Sequence, residues 1–454
     1  MTEAPPTARD IAYEVLTDRR RDVFAQDRLD GYFQRREVRD DDRRLATEIV
    51  YGIIRRQATL DAILRACSSR SRFKTEAELW TLLRIGVYQM AMLDTIPPHA
   101  AVHETIEVVK RRKKDRWIGF ANAVLRKATV LVTDMAADEP GRDTFPLAGG
   151  GFRRCAEPVF PDPAKDPVGY FCDAFSFPRW MSERWMKRFG RDDLHEIGRY
   201  FDHAVPPSLR VNSLKGSREA LLEEFQAAGV ACRAGAHPLS IRLARPMVID
   251  RLPGFAEGRF TVQDETAMSA ADTLAPQPGQ RILDLCAAPG TKTTHLAELM
   301  RNEGELVATD LSDNRVRRIE RGCRRLSLTI VNAIAILESG EGIPPGEFDG
   351  VLVDAPCTNS GVLGKRPEAR WRLKPSDATV LSEIQRKLLA RALERTRSGG
   401  RVLYSTCSIE PEENEQVVQA VLSGRDEWRL ESSRLFLPGR PSDGGFQALL
   451  VRDA

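Results

Sequence analysis

Apolar side chains at Leu45, Ile49, Val50, Ile53 and Ile54 recur every three to four residues and so fall on one stripe of a helix. From Leu79 to Met90 the apolar positions run nearly all round, the pattern of a helix at the centre of a bundle. Ile96-Pro97-Pro98 breaks this periodicity, and Ala101 to Val109 resumes it. No useful period-two alternation interrupts this region, so an all-α domain is expected over 1–130. Between 131 and 175 the pattern dissolves into breaker-rich stretches such as Gly149-Gly150-Gly151 and Phe160-Pro161-Asp162-Pro163. This segment reads as an irregular linker or insertion.

Over 176–260 the pattern is mixed. Phe177 to Trp185 reads as a helix entry with Trp180 and Trp185 as packing anchors. Leu209 to Asn212 reads as a short strand, and Arg218 to Ala228 as a helix stopped by Gly229, together a small α/β module. From 261 to 454, strand-length apolar runs at 281–285, 306–309, 348–354 and 401–405 alternate with helical patterns at 293–300 and 377–396. That alternation predicts an α/β domain built on a mostly parallel, Rossmann-like sheet.

A chain of 454 residues exceeds a single core and calls for two or three domains. With 68 Lys and Arg against 65 Asp and Glu, any nucleic-acid footprint must be local. Residues 1–130 hold 25 basic against 19 acidic residues, and Lys110 to Arg116 carries six basic residues in seven. That run is either a solvated helix end or a patch for RNA phosphates. No apolar stretch approaches the ~20 residues of a membrane helix, and Met1 to Asp10 lacks the apolar core of a signal peptide. The eight cysteines are scattered without a CxxC, which speaks against a disulfide scaffold and for a reduced, cytoplasmic setting. With no His/Cys cluster, no metal is expected.

Chemistry concentrates in the last domain. In Asp284-Leu285-Cys286-Ala287-Ala288-Pro289-Gly290-Thr291-Lys292, a strand is followed by a tight loop of small residues and then a helix. That order lets a nucleoside approach the backbone at the carboxyl end of the strand. The next strand ends at Asp310, where a carboxylate can accept ribose hydroxyls. Neither G-x-G-x-x-G nor G-x-x-x-x-G-K-[ST] occurs, so dinucleotides and triphosphates are poor ligands. Asp354-Ala355-Pro356-Cys357 and Ser405-Thr406-Cys407-Ser408 each put a cysteine just past a strand. One cysteine is usually a small buried hydrophobe. Two at equivalent strand ends of a parallel sheet point to a reactive site.

From Leu283 onward these motifs, with Ser360-Gly361-Val362, Arg366 to Trp371 and Ser405 to Glu415, resemble the cytosine-5 RNA methyltransferases of the NOL1/NOP2/Sun type. Upstream, Arg210-Val211-Asn212-Ser213-Leu214 and Val262-Gln263-Asp264-Glu265 match as well. Arg44 to Gly52, Leu83 to Gln89, Ile96 to Val102 and Gly119 to Arg126 resemble a NusB-type RNA-binding domain. The combination resembles the RsmB/Sun branch, whose members modify a cytosine in small-subunit ribosomal RNA. The resemblance implies a NusB-like domain over 1–130, a small RNA-binding α/β module over 176–260 and a class I methyltransferase domain over 261–454. It implies S-adenosyl-L-methionine as cofactor and RNA as partner, held by the catalytic domain, the small module and the 110–116 run.

By the same resemblance Cys407 is the nucleophile that adds to C6 of the base, because a thiolate is strongly nucleophilic at an accessible pKa. Cys357 assists release, and Asp354 binds the N3/N4 edge of the base. Cys286, Ala287, Ala288, Pro289, Gly290, Thr291 and Lys292 hold the methionine part of the cofactor and Asp310 its ribose. Arg315, Asn332 and Asp354 complete the cofactor set. Two departures stand out. Thr291 replaces a glycine of the family loop and would fit a positive φ poorly. Around Asn332 no carboxylate is found for the adenine. Two rival readings therefore stay open: a methyltransferase of transfer RNA or another RNA, and a non-catalytic NusB-like RNA-binding or antitermination factor.

Overall fold

The computed structural model describes residues 5–454 except 19, 21, 22, 71 and 149. The first four residues of the stretch read for a signal peptide, and the first glycine of the 149–151 run, thus lie outside the described residues. The chain divides into two compact units, 1–203 with 364–372, and 204–363 with 373–454.

The first unit opens with helices α1 (Ala8–Thr17), α2 (Ala25–Arg35), α3 (Asp40–Arg55), α4 (Gln57–Cys67), α5 (Ala77–Met92), α6 (Pro98–Arg111) and α7 (Ile118–Leu131). Helix α5, apolar all round, touches α1, α3, α4, α6 and α7 and is the centre of the bundle. It buries Leu82, Leu83, Ile85 and Val87 completely. Helix α3 turns its predicted stripe of Ile49, Val50 and Ile53 inward. Gly52 lets α3 approach α5 closely, since a Cβ there would lie 1.9 Å from the ring of Tyr88.

Residues 131–175, read as irregular, are ordered instead. Strands β1 (Val132–Ala137), β2 (Thr144–Pro146) and β3 (Phe152–Cys155) form an antiparallel sheet in the order β1-β3-β2, followed by helix α8 (Pro167–Ala174). Strands of three to six residues are too short to show a period, and Gly150 and Gly151 lie in the turn between β2 and β3 at positive φ. Phe145, Phe160, Tyr170 and Phe171 form the aromatic packing of this layer. Helix α9 (Arg179–Phe201) then anchors the fully buried Trp185.

In the second unit, β4 (Ser208–Val211), α10 (Arg218–Ala227), β5 (Cys232–Ala234), β6 (Ser240–Leu243) and β7 (Phe260–Val262) build an antiparallel sheet in the order β5-β6-β4-β7. Its core is Leu209, Phe225, Ile241 and Phe260. Next come α11 (Glu265–Leu274), β8 (Arg281–Asp284), α12 (Thr291–Leu299), β9 (Glu305–Asp310), α13 (Asp313–Leu326), β10 (Val331–Ala335) and β11 (Phe348–Asp354). After α14 (Ala369–Arg372), which belongs to the first unit, follow α15 (Asp377–Glu394), β12 (Thr396–Thr406), α16 (Glu415–Leu422), β13 (Trp428–Phe436) and β14 (Gly445–Arg452). The large sheet runs β10-β9-β8-β11-β12-β14-β13, parallel through β12 and antiparallel thereafter. Helices α11, α12 and α13 cover one face and α15 and α16 the other. Strand order reverses between β8 and β11, which opens a crevice at their carboxyl ends.

The segment 364–372 leaves the second unit and packs within the first. The buried guanidinium of Arg370 donates to the carbonyls of Arg55, Ser176 and Phe201 and lies 4.1 Å over the Phe177 ring. Trp371 Nε1 donates to the Ile54 carbonyl at 2.9 Å, and Glu368 accepts the Ala25 amide at 2.6 Å.

Candidate active site

At the end of β8 the chain turns sharply, and Gly290 adopts φ 99° as the residue before α12. Positive φ belongs to Gly290 and not to Thr291, which is already the first helical residue. The strain expected from a threonine at that position therefore does not arise. A Cβ on Gly290 would come within 3.2 Å of Ile319 Cα, so the loop lies directly on α13. Asp310, 3% exposed at the end of β9, accepts the amides of Ala288 (3.1 Å) and Leu311 (2.7 Å). Arg315 Nε meets Asp310 Oδ1, the oxygen that also accepts the Leu311 amide, at 3.0 Å while Nη2 reaches the Ala288 carbonyl, so the pair holds the Ala287-Ala288-Pro289 loop.

Lys292 Nζ lies 2.6 Å from Asp354 Oδ1. Burial opposes its charge, but the Asp354 carboxylate outweighs that cost and holds the ammonium above its ordinary range. Burial pushes the Cys286 thiol well up, helped by the charges of Asp284, Asp354 and Asp310. Asp284, buried and bonded to Thr293 Oγ1 at 2.7 Å, is raised to about 7 by the same loss of solvent. Past the ends of β9 and β10 a cavity of ≈ 580 Å³ is lined by Leu311, Ser312, Ile336, Leu337, Glu341 and Gly342, and the exposed Leu311 and Leu337 give it apolar walls. Asn332 is not brought to this edge. It sits second in β10, opposite Val307, while Ala335 pairs with Asp310 at the edge. At ~3.3 Å per residue, it lies about 10 Å back from the crevice.

The two sequence-nominated cysteines do meet. Strands β11 and β12 are parallel neighbours with Asp354 opposite Ser405, so the loops after them start side by side. Cys357 Sγ and Cys407 Sγ stand 3.1 Å apart, both free thiols. Asn359, at φ 60°, donates from Nδ2 to the Cys357 carbonyl at 2.8 Å and accepts the Cys407 thiol on Oδ1 at 3.2 Å. The hydrogen bond with Cys407, burial and nearby negative charge all raise the Cys357 thiol, so it keeps its proton.

Three residues escaped the sequence reading. Asn359 and Glu413 reveal themselves only where the two loops pack, and Arg210 only where β4 meets α12. Arg210 and Glu413 stand inside matching motifs, the one available signal, while Asn359 falls between them. The basic run at 110–116 is largely neutralised: Lys110, Arg111, Arg112, Lys114 and Arg116 pair with Glu107, Asp10, Glu14, Glu78 and Glu76 respectively. It does not stand as a free cationic patch.

Known proteins share this arrangement along nearly the whole chain. A protein of Synechocystis sp. (strain ATCC 27184 / PCC 6803 / Kazusa) named probable ribosomal RNA small subunit methyltransferase B is 33% identical over 430 residues, 94% of this chain and 91% of that one. This chain belongs to the ribosomal RNA small subunit methyltransferase B family. A Bacillus subtilis (strain 168) relative with the same name is 32% identical, covering 92% of this chain and 88% of its own length. The crystal structure of PH0851 is 27% identical with a TM-score of 0.74 and covers 98% of this chain and 99% of that one. The profile described as 16S rRNA methyltransferase RsmB/F matches residues 271–446, the NusB family 6–129, and the Methyltr_RsmF/B-like, ferredoxin-like domain 177–250. The family thus has the fold expected from sequence: a NusB-type helical domain, a small α/β module and a Rossmann-like C-terminal sheet.

Proposed function

We propose that this protein methylates C5 of a cytosine in small-subunit (16S) ribosomal RNA, in the cytoplasm, with S-adenosylmethionine as donor and a covalent Cys407–C6 adduct on the way. The observation that carries it is the pair of thiols 3.1 Å apart at the carboxyl ends of neighbouring parallel strands.

The residues at the crevice suit this donor. Asp310 offers a carboxylate at the strand edge for ribose hydroxyls, Leu311 and Leu337 offer apolar faces for a purine, and the tight loop through Gly290 brings backbone close to the ligand. When bound, S-adenosylmethionine supplies the electrophilic methyl group that C5 takes up.

Cytosine C5 is a poor nucleophile until C6 is saturated. The Cys407 thiolate forms the bond to C6, which places electron density on C5. Asp354, held by Lys292, hydrogen-bonds the N3/N4 edge and stabilises charge as the ring is attacked. Once C5 carries the methyl group, its proton leaves, the S–C6 bond breaks and the aromatic ring returns with Cys407 restored. Cys357, 3.1 Å from the departing sulfur, is the group placed to assist that release.

Incubating purified protein with labelled S-adenosylmethionine and separate transcripts of 16S rRNA and transfer RNA tests the proposal. Label in a single cytosine of the rRNA supports it, and label in transfer RNA alone replaces the substrate. Absence of S-adenosylmethionine binding by calorimetry would favour an RNA-binding factor without catalysis.

A further inference from the structure

Behind the cysteine pair lies a carboxylate that the reaction above does not use. Glu413 is fully buried, with no exposed surface. One oxygen accepts the Thr358 amide at 2.8 Å and Gln385 Nε2 at 3.1 Å. The other accepts the hydroxyls of Thr358 and Ser408. Thr358 directly follows Cys357, and Ser408 directly follows Cys407. One side chain therefore holds the residue next to each thiol. Further bonds tighten the same knot. Ser360 Oγ accepts the Ile409 amide at 2.9 Å, Gln385 also donates to the Pro356 carbonyl, and the Tyr404 hydroxyl donates to the Glu413 carbonyl.

We propose that Glu413 is the positioning residue of the cysteine pair: its carboxylate clamps the two loops and sets the distance between the thiols. The assignment of roles to those thiols rests on the function proposed above, while the clamp itself does not.

Four donors converge on this carboxylate, which suits the ionised form and supplies it with hydrogen bonds at both oxygens. A neutral amide in its place would turn an N–H group toward a hydroxyl or amide donor and break one strap. The charge has a second effect. The titratable groups facing Cys357 are Cys407, Glu413 and Tyr404; the hydrogen bond with Cys407 and burial raise the Cys357 thiol first, and the charge of Glu413, whose own carboxyl is raised by burial, adds to them. The clamp thus makes two chemically identical side chains unequal.

The test separates clamp from reaction. Alkylation of each cysteine by iodoacetamide, followed by peptide mass spectrometry across pH, needs neither RNA nor donor. Glu413→Gln is expected to move the Cys357 alkylation midpoint down by about one pH unit, with Glu413→Asp keeping it near the wild-type value. In methylation assays Glu413→Gln is expected to lower kcat by ~10- to 100-fold while KM for the donor stays within about twofold. An unchanged alkylation profile, an equal shift in the Asp and Gln variants, or an unchanged kcat overturns the proposal. If Glu413→Gln does not fold, Ser408→Ala removes its strap to Glu413 together with the bonds of that hydroxyl to Thr358, Ser360 and the Glu410 amide. A fall in kcat without a change in donor KM then supports the clamp, and wild-type kcat overturns it. A wild-type enzyme inactive on rRNA, with the alkylation shift present, would sink the substrate and leave the clamp standing.

Discussion

Arg210 on β4 meets Glu298 on α12 at 2.7 Å, with neither side chain exposed to solvent. The same guanidinium donates to the Thr291 carbonyl at 2.7 Å and to Thr294 Oγ1 at 3.1 Å. The small sheet therefore grips the first turn of the helix that carries Lys292. Replacing Arg210 by Met strands a buried carboxylate, which costs about 3–5 kcal/mol. Denaturant unfolding should show that loss, and calorimetry should show weaker donor binding because the first turn of α12 loses its support. Full stability in the variant would mean that the pair does not hold the two sheets together.

The cysteines should separate by phenotype. Cys407→Ala is expected to abolish methylation, because the neighbouring thiol of Cys357 is held in its protonated form. Cys357→Ala is expected to form the adduct and release it slowly, giving a protein–RNA species that survives a denaturing gel. A Cys357 variant that turns over freely would remove it from the release step.

Gly290→Ala tests the loop. Its φ of 99° strains any side chain, and a methyl group would crowd Ile319 Cα at 3.2 Å. A left-handed non-glycine residue costs about 1–2 kcal/mol, so donor affinity measured by calorimetry should fall by roughly tenfold.

Acid should weaken the first unit through His195. Its ring packs against Phe171 and Phe175, Nε2 has no hydrogen-bond partner among the described residues, and burial drops its pKa from 6.5 to about 4. The folded state therefore binds the proton less readily than the unfolded chain. Stability present above pH 6.5 is lost as the pH falls toward 4, by about 3 kcal/mol at this site. His195→Phe should flatten that slope in thermal melts taken across the interval.

Much of this site was legible in the residues themselves. Buried strands ending in Asp354 and in Thr406 put Cys357 and Cys407 at equivalent positions, and pairing in a parallel sheet did the rest. The α5 helix declared its central place by having no polar face. What stayed hidden depended on partners distant in sequence. The carboxylates that neutralise Lys110 to Arg116 come from α1, α6 and the segment around Glu76 and Glu78, invisible to a local charge count. Thr291 was misjudged because the turn takes its positive φ one residue earlier, at Gly290. Asn332 was nominated by likeness to a motif, and strand register then set it three positions short of the edge. The β1–β3 sheet was missed because its strands are shorter than any period that could reveal them.

The excursion of residues 364–372 has a practical meaning for anyone who cuts this gene in two. A fragment ending at 203 would lack Arg370, and with it a cation that faces the buried Asp202 and a plug for the carbonyls of Arg55, Ser176 and Phe201. The complementary fragment would expose Trp371 and its neighbours with nothing of their own to rest against. The N-terminal helices and the catalytic sheet are therefore one inheritance: the first piece is incomplete without nine residues that the second piece carries and has no packing for.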